Sequence, residues 1–381
     1  MPIDERNSSP TPEHAGLTVD GEAIVYRLYD LGYGIDLERA SELLGASGAE
    51  RVRPVRGEGL AIQISNPPLT IAIGTESLPI GSATRSIELS ARIFDFGVLS
   101  LRARIVAPSR LTWSEFARFG DAVSAAPGWR EFFTTARDRL MKRMLAAISK
   151  PGEAPVTEDY TVFRVNALQG ADGVALTADA LREQDIAQLL LGESRPISSA
   201  TRRELLSQRF TYYEDDLAVL TWNSALVVEP TAEDTDVQYV LEFANAQLLE
   251  LRYYDALLDR ELPEIYDRIE EARNGFHLIG RRYGRLLGEL QKRFADATEL
   301  VERVENSLKV TDDVYLARIY AAALEIFRGP TWRSGVDHKL SIVRDAYTML
   351  NAESQARRSE ALEVIIVLLI LFEIVLAWFR P

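Results

Sequence analysis

The sequence predicts an α+β head made of two related strand–helix–hairpin units, followed by a long helical, coiled-coil stalk and one C-terminal transmembrane helix. Three observations predict it. A strand, a helix and an alternating hairpin pattern occur twice in the same order before residue 230. From Val237 apolar residues recur at alternating spacings of four and three, and the last residues are almost wholly apolar. The expected domains are residues 1–20 as a tail, 21–150, 151–230, 231–336 as the stalk, and 337–381 with the span at 361–379.

Composition narrows the classes. A chain of 381 residues with 47% hydrophobic and 26% charged content is long enough for two or three domains and too apolar for disorder. The net charge of −14 disfavours nucleic acid as a partner, because phosphate is repelled by an acidic surface. With no cysteine there can be no disulfide, thiolate metal site or cysteine nucleophile.

Residues 1–20 lack the apolar core of a signal peptide and are too acidic for a transit peptide. In the first unit Ala23–Gly32 (AIVYRLYDLG) reads as a strand and Ile35–Gly45 (IDLERASELLG) as a helix. Ser86–Val106 alternates as a hairpin. Thr112 and Glu115 form a capping-box start for a helix, and a second helix follows at Trp129–Ile148 before Lys150-Pro151-Gly152 breaks the chain. The second unit repeats the order, with Tyr160–Leu168 as the strand, Thr177–Glu193 as the helix and Arg202–Pro230 as the hairpin. Glu214, Asp215 and Asp216 fall at its turn, where solvated acids are ordinary and a cation site is the sharper alternative.

The stalk seam runs through Val237, Leu241, Ala244, Leu248, Leu251, Leu258 and Leu262, interrupted by Asp255, and Pro263 must kink or restart the helix. An unbroken helix from Pro263 to Leu308 would be roughly 70 Å long. Arg281, Arg282 and Arg285 lie on it as a solvated or docking face. A further helix ends at Gly329-Pro330, and the last one is expected to begin near Asp337.

Ala361–Phe379 holds fourteen Leu, Ile, Val and Phe residues in nineteen. At helical rise it covers about 28 Å, close to a hydrocarbon core of roughly 30 Å. Arg357 and Arg358 precede it, and Trp378 lies at its far end as interfacial aromatics do. These arginines predict a cytoplasmic head by the positive-inside rule. Glu363 and Glu373 are the acids of the segment. Glu373 has two readings, a protonated or snorkelling carboxyl and a contact between neighbouring copies. Membrane or oligomer contact is therefore assigned to Glu373, Arg357, Arg358, Glu363 and Trp378.

Catalytic signals are weak. No phosphate-binding glycine loop, nucleophile elbow or HExxH run is present, and His14, His277 and His338 have no ligand-like neighbours. No catalytic residue, metal or cofactor is predicted.

The run Asn351–Leu376 (NAESQARRSEALEVIIVLLILFEIVL), with DVYLARIYAAALEIF and LEFANAQLLELRYYDALLDREL before it, resembles the required-for-meiotic-nuclear-division family. Asn351, Glu353, Arg357, Arg358, Glu360, Glu363 and Glu373 carry the likeness, together with FDFGVLSLRARI, over about Ile24 to the end. The resemblance implies a membrane-anchored protein, mitochondrial and linked to translation in eukaryotes, with no established catalytic residues. Without a transit peptide, the expected home is a bacterial inner membrane, single-pass, with the N-terminal domains in the cytoplasm.

The resulting expectation is a membrane-tethered, non-enzymatic, oligomeric scaffold. Its partners would be the lipid bilayer, further copies of itself, and an unknown protein or ribosome from translation or envelope machinery. The alternatives are an enzymatic or ligand-sensing head with a site between the two units, and an accessory to an ion channel or transporter.

Overall fold

The computed structural model describes residues 16–45, 63–64, 66–152, 156–193, 195–230, 236–274, 308–309 and 313–378. The chain forms two compact bodies, Met1–Glu250 with Val304–Gly329, and Leu251–Arg303 with Pro330–Pro381.

The first body is organised by a mixed nine-stranded sheet. Its long strands are β1 (Thr18–Asp30), β4 (Leu69–Ile80), β5 (Ala83–Ile93), β6 (Val98–Val106) and β9 (Thr157–Gln169). Shorter ones are β7 (Leu111–Thr112), β10 (Arg209–Phe210), β11 (Leu217–Leu220) and β12 (Ser224–Val228). The order is β10-β11-β12-β9-β1-β6-β5-β4, with β7 paired to β1. Small two-stranded pairings join β2 (Gly32–Ile35) to β8 (Ile148–Pro151), and β3 (Gln63–Ile64) to β13 (Leu308–Lys309).

The expectation of an α+β head of two related units that share or pair their sheets is corrected to one large mixed sheet. The strand that opens the second half, β9, pairs antiparallel with β1 from Thr18↔Gln169 to Tyr29↔Thr157. Strand β12 then joins β9 in parallel. Both halves therefore lie in one sheet, with β1 and β9 paired along their length. The helical pattern at Thr177–Glu193 resolves into a 3₁₀ turn, Ala178–Glu183, and the short helix α4 (Ile186–Leu191). The first part of the expected hairpin, Ser199–Leu205, is the helix α5.

Alternation along β1 sends its side chains to opposite faces. On one face Ala23 and Val25 join a core with α1 (Leu37–Leu44), α2 (Trp113–Ser124), α3 (Trp129–Met144) and α4. Helix α1 starts at Asp36, whose carboxylate accepts from the backbone N–H of Glu38 and Arg39 at 3.1 and 3.0 Å. It stops at Gly45 in the left-handed region. Helix α2 starts at the expected capping box: the Glu115 N–H donates to Thr112 Oγ1, and the Thr112 N–H donates to Glu115 Oε2 at 2.9 Å. At the β5–β6 turn Gly97 has φ +107, and a Cβ there would lie 1.9 Å from the Gly32 carbonyl oxygen.

The other face carries Ile24, Tyr26, Leu28, Tyr160 and Val162, all buried yet outside that core. It is closed by the start of α6 (Asp236–Asn274) and by α7 (Val314–Ile326). Phe243 of α6 packs edge-on against Phe94 and Phe96, and Phe327, just past α7, packs on Tyr160. Val237, Leu241, Ala244 and Leu248, expected as a coiled-coil seam, are thus core residues of an α/β/α layering, buried along with their neighbours on every side of the helix. Pro263 lies within α6 without ending it.

The second body contains α6 from Leu251 and, from Pro330 on, the helix α8 (Gly329–Trp378), which begins at Gly329 rather than near Asp337. Pro330 sits in its first turn, where the missing N–H costs nothing. The two helices run parallel here. Arg252 lies over the Trp332 ring, and Lys339 contacts Asp255 and Asp259 at 2.6 Å each. Burial opposes the Lys339 charge, but the two aspartates outweigh it and hold the ammonium above its ordinary range. The expected stalk continuation through His277, Arg281, Arg282 and Arg285 lies outside the described residues.

The transmembrane helix is also corrected. Among the described residues no helix is long and apolar enough to cross a membrane. Helix α8 carries Arg333, Asp337, Lys339, Arg344 and Asp345 along its earlier turns. Its apolar segment includes the acids Glu363 and Glu373, which are costly in a hydrocarbon core. The tail-anchored, single-pass inner-membrane placement and the head orientation derived from it fall with the span.

Candidate functional site

Two features of the chain stand out, one in each body. The first is a buried polar seam on the sheet face beneath α6. Period-two alternation places Glu88, Ser90 and Arg92 of β5 on one face, and the register sets them beside Arg104, Arg102 and Ser100 of β6. Glu22 of β1 pairs with Arg164 of β9 on the same face.

These side chains form ion pairs and hydrogen bonds in three groups. Glu22 accepts from Arg104 Nε at 2.7 Å and from Arg164 Nη1 at 3.3 Å. Arg104 also donates to Glu88 at 2.8 Å, and Arg102 donates to Ser90 Oγ at 3.0 Å. Arg92 reaches up to the helix. Its guanidinium donates to Glu242 of α6 and to Thr70 Oγ1, and lies 4.7 Å from the centroid of the Tyr239 ring. Arg92, Arg164, Glu22 and Glu242 are all buried. Burial pushes the Tyr239 phenol above its ordinary range, with Arg92 opposing.

Chemically the seam holds carboxylates against guanidiniums that keep their protons at any physiological pH. Its effect is to fix α6 in one position on the sheet, because a shifted helix would leave Arg92 buried and unmatched. A separate buried acid, Asp30, sits at the end of β1. Burial raises its carboxyl to about 7, against the lowering effect of the bond it accepts from the Gly32 N–H at 3.0 Å.

The second feature is α8. Eleven of its apolar residues between Leu362 and Ile374 are each 52–63% exposed. Of the predicted contact residues, Glu363 and Glu373 lie exposed on this segment. The side chains of Arg357, Arg358 and Trp378 belong to α8 but lie outside the described residues. The structure thus places the two acids on one helical segment and does not bring them into any cluster. Glu214, Asp215 and Asp216 form the β10–β11 turn, as expected, with Asp216 accepting from the Tyr212 N–H at 2.7 Å. His338 is exposed on α8. Among the described residues no group of three or more His, Asp and Glu is placed to hold a metal ion.

Sequence reasoning missed the arginine seam. The alternation Glu88, Ser90, Arg92 and Ser100, Arg102, Arg104 reads as the solvent side of a hairpin. The signal that could have revealed it is in α6, where Gln238, Glu242 and Asn245 recur at spacings of four and three amid residues of a core helix.

A family model, the N-terminal domain of the uncharacterized protein MJ0711, matches residues 20–235. That stretch begins inside β1, runs through β12 and ends just before α6. The uncharacterized protein MJ0711 of Methanocaldococcus jannaschii is 23% identical over 241 residues, which covers 63% of this chain and 72% of the relative. No solved structure matches. The residues that carry the resemblance to the required-for-meiotic-nuclear-division family at Asn351–Leu376 come after the matched stretch.

Proposed function

The chain belongs to the family of the MJ0711 N-terminal domain, and from that premise we propose that it is an oligomeric scaffold, which holds partners rather than transforming a substrate. The observation that carries this reading is the exposed apolar segment of α8. Eleven half-exposed Leu, Ile, Val and Phe side chains present on the order of 1,000 Å² of apolar surface, more than the few hundred Å² a monomer leaves in one patch. Surface of that extent is comparable to one side of a stable interface. The apolar residues lie on every side of the helix, so several neighbouring helices are needed to cover it, and further copies of the chain supply them.

The acids set the orientation. Glu363 and Glu373, ten residues apart, fall about 80° from one another around the helix. The opposite side is Ile365, Leu368 and Phe372, at spacings of three and four, which forms the inner seam. In the first body Glu22 and Glu242 each hold an arginine, which fits the holding role.

Light scattering on the full chain tests the reading. The expected mass is a multiple of 42.6 kDa that falls toward a single copy in the Leu368→Asn, Phe372→Asn double variant. A 42.6 kDa particle for the unaltered chain would overturn it, whether the protein stays free in buffer or floats with added phosphatidylcholine–phosphatidylglycerol vesicles.

A further inference from the structure

We draw no further inference here: the strongest candidate, the outer edge of β4 at the end of the nine-stranded sheet, is interrupted by the irregularity between Ala72 and Gly74 and by Pro79, and nothing in the structure shows what would pair with it.

Discussion

Asp30 is the residue with the clearest pH signature. Its carboxyl titrates near 7 in the folded chain against an ordinary 3.8, because burial disfavours its charge. A raised carboxyl means that the folded state keeps a proton the unfolded chain has lost. Its contribution is therefore fully present below about pH 4 and is lost progressively as pH rises to about 7, by at most about 4 kcal/mol. Asp30→Asn keeps the acceptor for the Gly32 N–H and removes the titration. Urea unfolding of the two proteins should show the variant gaining on the parent between pH 5 and 8, and parallel pH profiles would contradict this. At the seam, Glu242→Ala leaves Arg92 buried without its carboxylate and should cost about 3–5 kcal/mol, whereas Arg92→Met with Glu242→Leu should cost far less. A double variant as unstable as the single one would show that the pair itself, and not the stranded charge, sets the penalty.

Local signals in the sequence translated well at the scale of elements, and long-range ones did not. The Thr112–Glu115 capping box is legible because both partners lie within one turn. Thr112→Ala should lower stability by about 1 kcal/mol in denaturant melts, and no change would mean that the packing of Trp113 and Phe116 alone holds the helix start. The β5–β6 hairpin and the Glu214–Asp216 turn were legible for the same reason. Glu242 was not, because its partner Arg92 is 150 positions away and nothing in the pattern of β5 says which polar face will be covered. The four-and-three spacing from Val237 is the same for a coiled-coil seam and for a helix buried all round. What separates the two is that the polar residues between the seam positions are buried, and polar residues between seam positions are also what the outer face of a coiled coil carries, so the pattern alone could not tell.

For the whole molecule, the repeated order of elements reads as two related units that share or pair their sheets, and the pairing of β1 with β9 draws both halves into a single mixed sheet. The terminal apolar run was read as a membrane span, and among the described residues no helix meets that requirement. What survives is a segment of α8 with far more apolar surface than a lone helix keeps in water, marked on one side by Glu363 and Glu373. Self-association through that segment is the central claim, and the absence of native cysteine makes it directly measurable. Single cysteines placed at Ile365, Leu368, Phe372, Glu363 and Glu373 in turn should give strong chain-to-chain disulfide cross-linking at the first three positions and little at the two acids. Uniformly absent cross-linking, or cross-linking strongest at Glu363 and Glu373, would contradict the account.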